Sequence, residues 1–427
     1  MLKLTRISFF AILLLLVLFS LPLWLRAPRV AGDASPEKHY AVIKASDVVP
    51  AQTRAPASKG SNPSFGDLQL PAMTLVDGGW YSDSGTVGQF VHPPAILRWD
   101  PARTDVDWRV ETGSFTGAYQ DEAERIYLVD QDSLIILDAQ SGEALSRRQL
   151  AGAPVSGPDS GQLFPVGRQG DRLYLRNYAL RDNLFVYDLR AGVFGEESWT
   201  VCEAGYPFDS LYLPQESSFV TFCIDFSEGM EGVLTRLSVE DGTSASVEIP
   251  ALGADEYMTG NGFALGPGEL AYVVDSDAGA LVEIDIQTMR ILRQADYRQE
   301  LEGTGWLPGV VSRLLELAAS PARAKRWMSQ PVVSPDGRYL VVDGGFAAGG
   351  GATTNAWLID LESLAPVQEI ELPGSPQAFH FADDSLLYIL LQTESPGDSR
   401  AVAFDLDSQV SLTLNVPASG MVLRFLP

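Results

Sequence analysis

The sequence predicts an all-β fold, a seven-bladed β-propeller of four-stranded antiparallel blades, on three observations. First, a strand ending in Asp or a close substitute recurs: LRWD (97–100), IILD (135–138), FVYD (185–188), TRLS (235–238), VEID (282–285), WLID (357–360) and VAFD (402–405). Second, the ends of these strings lie 38, 50, 50, 47, 75 and 45 positions apart. Five of those gaps fit the period of about 40–50 residues expected of a four-stranded blade. Third, each string follows an apolar strand such as RIYLVD (125–130) or RYLVVD (338–343) and precedes a more polar one such as VSLTLN (410–415). Stacked blades need that order, with buried middle strands and a solvated outer strand.

The elements can be justified from the N-terminus onward. Residues 7–25 carry no charge, with Lys3 and Arg6 before them and Arg26 and Arg29 after. At about 1.5 Å per helical residue the stretch just crosses a bilayer core. It exceeds the roughly 7–15 apolar residues of a cleaved signal, and its exit lacks a small-x-small site. Residues 1–26 are therefore read as one N-terminal transmembrane helix, an anchor in preference to a signal. Lys3, Arg6 and the free amine hold the N-terminus inside against Arg26 and Arg29, which sets the remainder on the extracytoplasmic side. Residues 27–70, rich in Pro, Ala and Ser without periodicity, read as a flexible, disordered tether. The propeller occupies 71–427. Its first unit, from about Met73 to Glu111, lacks an inner strand, and VPASGMVLRFLP (416–427) resembles the opening of the seventh unit. Residues 420–426 are expected to complete the first blade and close the ring, leaving no exposed edge.

The oversized gap holds an insertion, 298–328, between blades five and six. Leu307, Val310, Val311, Leu314 and Ala318 recur at helical spacing, and Ser320–Pro321 reads as the start of a second helix. Arg313, Arg323, Lys325 and Arg326 make it basic, and Trp306 and Trp327 flank it. It reads either as a hairpin packed on the propeller or as a docking element for a partner or an anionic membrane surface. Strand order puts it on the face of the second-to-third-strand loops. There Ser82–Pro94, Gly344–Asn355 and Thr393–Arg400, in adjacent blades, are also long. This sector is the expected binding region, since loops on a rigid scaffold carry recognition.

Charge and chemistry narrow the function. With 30 basic and 55 acidic residues the chain carries −25, which argues against a nucleic-acid partner. Cys202 and Cys223 are the only cysteines; they form one disulfide in an exported protein or two buried thiols in adjacent strands. His39 sits in the tether. His92 and His380 belong to neighbouring blades and, if both approached the channel mouth, could do acid–base work. Three histidines cannot build a multi-His metal site, so no metal is expected. No cofactor is expected either. FAAGGGATTN (346–355) lacks the ending of a phosphate loop, and no haem-attachment or nucleophile-elbow motif stands out. Asp130, Asp132, Asp275 and Asp277 fall in equivalent short loops without an EF-hand pattern and read as turn residues.

SPDGRYLVV (334–342), with third strands such as EIDIQT, resembles the signature of YVTN-type and related WD-repeat-like propellers over about 71–427. The WD dipeptide occurs once, as Trp99–Asp100, and the GH element of true WD repeats is missing, which argues against an intracellular WD scaffold. The resemblance implies the propeller fold. The family's functions range over envelope and surface-layer proteins, electron-transfer subunits and a few lactonases. The chain is accordingly read as a membrane-tethered, non-catalytic binding or scaffolding module for a protein or glycan partner at the cell envelope. The alternative is a lactonase-like hydrolase with its site at the channel mouth.

Overall fold

A computed structural model describes residues 70–78, 80–82, 89–113, 117–153, 163–177, 183–202, 206–225, 231–249, 261–275, 280–296, 330–343, 354–392, 398–418 and 423–426. Residues 1–69 and the insertion 298–328 lie outside the described residues.

Seven four-stranded antiparallel sheets follow one another along the chain. In six of them the strands run in sequence order from the inside outward, as in blade two: Ala118–Gln120, Arg125–Asp130, Ser133–Asp138, Ala144–Gln149. The exception is blade one. Its strands Met73–Asp77, Ala95–Asp100 and Asp105–Glu111 are joined on the inner side by Leu423–Phe425 from the far end of the chain. Leu75 pairs with Phe425 and Val76 with Arg424, and the Leu426 N–H donates to the Thr74 carbonyl at 2.9 Å. Each string aligned above is the end of a third strand.

Burial explains the hydropathy pattern. Second strands sit between two neighbouring blades and bury both faces; every residue of Leu386–Leu391 is buried. Outer strands such as Ala365–Glu371 have solvent beyond them and are mostly exposed or half-exposed. Core clusters lie between blades: Val341 and Leu358 of blade six meet Phe379, Phe381 and Leu387 of blade seven.

The recurring aspartate has a local cause. The turn after each third strand needs its fifth residue in the left-handed region. Thr104, Gly142, Gly192, Gly242, Met289, Leu364 and Gln409 fill that place, with φ between 49° and 73°. The aspartate caps the turn. Asp138 Oδ1 accepts the N–H groups of Gln140 (3.1 Å) and Ser141 (2.8 Å), and Asp188 Oδ1 those of Arg190 (2.8 Å) and Ala191 (2.7 Å). Where blade four carries Ser238 instead, Asp241 takes over and accepts from the Thr243 N–H at 3.0 Å. These donors favour the charged carboxylate. They hold Asp138 and Asp360 below the usual carboxylate range and Asp241 at about 2.

Two features differ from or add to the sequence expectation. The segment read as a plain loop, Ser82–Pro94, carries half of a two-stranded hairpin, Trp80–Ser82 with Gln89–His92. Period-two pairing over three or four residues is too short to register as a strand signal. Cys202, just past the outer strand of blade three, is disulfide-bonded to Cys223 in the second strand of blade four. Their Cα atoms are 6.0 Å apart and both residues are buried, so the bond staples two blades across their interface.

Candidate functional site

In an up-and-down blade, the first-to-second and third-to-fourth turns leave on one face, and the remaining connections leave on the other. The two are called here the turn face and the loop face. The sequence-predicted binding residues Trp306, Arg313, Arg323, Lys325, Arg326 and Trp327 belong to a loop-face connection outside the described residues. So do residues 344–353 and 393–397 of the long loops beside it.

The described residues contain a cleft on the opposite, turn face. It opens between blades six and seven and has a volume of ≈ 390 Å³. Its lining is mainly polar, with a smaller apolar strip from Tyr339, Leu358, Val367 and Leu406 where the core between the two blades comes near the surface. The Asp336, Asp384 and Asp407 side chains stand around it, all exposed. Asp336 Oδ1 accepts from Ser334 Oγ at 2.6 Å and from the Arg338 N–H at 3.0 Å. The Asp384 and Asp407 carboxylates make no hydrogen bond or ion pair among the described residues. The turns they flank are capped by their neighbours: Asp383 Oδ1 accepts from the Ser385 (2.9 Å) and Leu386 (2.8 Å) N–H groups, and Asp405 Oδ1 from the Asp407 N–H at 2.9 Å. One cation lines the cleft, Arg338, whose guanidinium carbon lies 4.8 Å from the centre of the Tyr339 ring. Gln368 and Gln409 bridge the two blades by paired side-chain amide bonds. Three carboxylates against one guanidinium in a mainly polar cleft suit a ligand with a positive head, and the apolar strip offers contact to a short stem behind it.

The two predicted histidines sit on different elements. His92 pairs with Trp80 in the two-stranded hairpin. His380, on the inner strand Pro376–Phe381 of blade seven, stacks on Phe425 of blade one, with ring centroids 5.1 Å apart and planes at 27°. Burial pushes its pKa below the ordinary value, favouring neutral imidazole. The packing sets His380 against the inner strand of blade one. Asp130, read as a turn residue, accepts the Gly113 N–H at 3.0 Å, and Asp132 accepts from Gln149 Nε2 at 3.1 Å.

Buried phenols tie the turn face together elsewhere. Tyr127 donates to Asp121 Oδ2 at 3.0 Å, and Asp121 is also paired with Arg168 of blade three. Burial raises Tyr127 and Tyr272 to about 12, so both stay protonated.

No protein-family model matches the chain, and no curated protein sequence matches it. Among solved structures it is similar to the dihydro-heme d1 dehydrogenase NirN in complex with DHE, at 14% identity and TM-score 0.47, over 84% of this chain and 77% of that one. It is also similar to BamB from Moraxella catarrhalis (13%, TM-score 0.39, 79% and 82%) and to the WD40 repeats of RRP9 (12%, TM-score 0.46, 69% and 80%). These likenesses carry no functional argument; the fold rests on the seven sheets themselves.

Proposed function

We propose that this chain is a membrane-tethered, extracytoplasmic propeller that binds a protein or glycan partner at the cell envelope without catalysing a reaction. The cleft between blades six and seven carries this reading. Its Asp384 and Asp407 carboxylates, unpaired among the described residues, border a mainly polar cleft with an apolar strip, which supports a ligand-binding role. The compartment is supported by the Cys202–Cys223 bond, since disulfides persist in oxidising surroundings, and by the uncharged residues 7–25. Ring closure by the C-terminal strand belongs to the same reading. It is supported by the pairing of Leu423–Phe425 with Met73–Asp77 and by the stacking of His380 on Phe425.

Two measurements on the full chain test the proposal. In cells, the chain should stay in the membrane pellet through a carbonate wash. Protease added outside intact cells should degrade the propeller while a cytosolic marker survives; a protected propeller overturns the outward orientation. In detergent, affinity capture with the full chain should recover a reproducible partner set that a 300–328 deletion loses. Identical capture by both would remove the insertion from partner binding.

A further inference from the structure

The seven blade interfaces can be compared at one equivalent pair: the third-strand residue two before the turn aspartate (Ser238 in blade four), and the second-strand residue directly opposite it. From blade one to blade seven the pairs are Thr74/Arg98, Tyr127/Ile136, Tyr174/Val186, Val220/Arg236, Tyr272/Glu283, Val341/Leu358 and Tyr388/Ala403. In four blades a tyrosine occupies the pair and packs toward the next blade. Tyr174 lies 5.3 Å from Phe219 and Tyr388 lies 6.3 Å from Trp99, ring centre to ring centre. Tyr127 and Tyr272 join the cores shared with blades three and six. Blades one and four lack the tyrosine but have an arginine opposite. Arg98 Nη1 donates to the Ala139 carbonyl of blade two at 3.2 Å. Arg236 Nη2 meets Glu216 Oε2 at 2.8 Å, and Glu216 in turn interacts with Glu269 of blade five. Blade six has neither group. Val341 and Leu358 leave the mouth of its interface unfilled, and Leu358 lines the cleft described above.

The outer strand of blade five carries a further arginine that reaches the next blade. Opposite Glu283, Arg293 of blade five reaches blade six and donates to the Leu361 and Glu362 carbonyls at 2.7 and 2.6 Å. Opposite Leu358, the equivalent residue in blade six is Gln368, a shorter and neutral side chain. The cleft is thus a place in the repeat where an arginine stands in blades one, four and five and where the third and fourth strands of blade six supply none; the one cation lining it, Arg338, comes from the turn before the second strand and stands over the Tyr339 ring. Asp384 and Asp407 remain at its edge with no ion pair among the described residues.

We infer that this mouth is a socket for an arginine side chain of a partner protein, inserted from solvent with its aliphatic stem on Tyr339, Leu358 and Leu406 and its guanidinium toward Asp384 and Asp407. The inference rests on the proposed binding role and specifies the partner's chemistry. Arginine fits better than lysine because a planar fork can meet two carboxylates and lie against a tyrosine ring.

The test uses the full chain in detergent and a fluorescein-labelled Gly-Leu-Arg-Leu-Gly amide, read by fluorescence anisotropy up to millimolar protein-saturating conditions. Replacing the arginine by citrulline, which keeps the shape and removes the charge, should weaken binding about tenfold or more. Asp384→Asn with Asp407→Asn should do the same, and raised salt should weaken the wild type but not this variant. Gln368→Arg, which imitates Arg293 and fills the mouth from within, should abolish binding. Val341→Tyr, which imitates the other four blades, is a second plug should the first perturb the fold, and the melting temperature of each variant checks that it is folded. Absence of binding by the arginine peptide, equal binding of the citrulline peptide, or unchanged binding by folded Gln368→Arg overturns the inference. Displacement by spermidine as effective as by unlabelled peptide would also overturn it, as a generic cation site. If these fail while capture through the insertion persists, the socket falls and the binding role stands; if the socket holds but the propeller is protease-protected in cells, the envelope reading falls instead.

Discussion

Deleting residues 420–427 should strip blade one of its inner strand and measurably destabilise the propeller. Phe425 and Leu426 are 9% and 6% exposed. Returning each side chain to water costs about 2–3 kcal/mol. Lost bonds, including that from the Leu426 N–H to the Thr74 carbonyl, add about 1 kcal/mol each. The total is roughly 6–9 kcal/mol, against a net stability of about 5–15 kcal/mol for a typical domain. Unfolding entropy near about 2 cal/mol/K per residue converts this to a fall of about 8–12 °C in melting temperature for a ring of roughly 360 residues. Phe425→Ala alone, at about 3–5 kcal/mol, should account for about half. The assay is thermal unfolding of the full chain in detergent, followed by tryptophan fluorescence. The deletion also frees the inner edge of Met73–Asp77, so aggregation on heating should begin earlier. A melting temperature within about 2 °C of the parent would refute the idea that this strand closes and stabilises the ring.

Three further outcomes can be checked with the same measurement. The Cys202–Cys223 bond closes a separation of 21 residues, so Cys202→Ala/Cys223→Ala, or reductant on the parent, should cost about 3 kcal/mol, or about 4 °C; the parent should show no free thiol to a thiol reagent before reduction. His380 has a depressed pKa when folded, so the unfolded chain binds the extra proton; stability should be full above about 6.5 and fall as pH drops below it, and His380→Phe should flatten that slope. Gly142→Ala combines a φ of +70° with a Cβ placed 2.6 Å from the Trp108 ring, whereas at Gly192 the nearest atom would be 3.7 Å away; the first should lose at least about 2 kcal/mol and the second only about 1.

The architecture was legible because its signal is redundant. Seven third strands end on a turn that needs a capping carboxylate and a left-handed residue, and the strand order from apolar to polar repeats with them. The hairpin of Trp80–Ser82 and Gln89–His92 was missed because so few residues cannot show a period. The cysteine pairing stayed open because partners in adjacent blades are set by register, which spacing alone does not give. His380 could be placed on its strand from sequence, but not on its side of the strand. A slip of one position turns a residue from one neighbouring blade to the other. The cleft was hidden for a different reason: Asp336, Asp384 and Asp407 look like every other turn aspartate. A signal for it was present in the aligned strands: RIY, RLY, LAY and LLY give way to AMT at 72–74, SFV at 218–220 and YLV at 339–341, and only the last lacks an arginine opposite. A missing side chain registers only once the interface it should fill is known.

That contrast separates carboxylates the fold requires from those it does not. Asp405 is buried and caps its turn, and Asp383 caps another, so either would be kept by any chain that must make these turns. The side chains of Asp384 and Asp407, one and two positions further on, are exposed and bond to nothing described, so the turns would form without their carboxylates. Clustering unpaired like charges at one mouth raises the energy of the free protein slightly and lowers it again when a cation arrives. In a chain already at −25, a site of this kind distinguishes a cation from the anionic surroundings by position, not by net charge. The apolar strip of Tyr339, Leu358 and Leu406 then adds contact for a short stem behind the charged head.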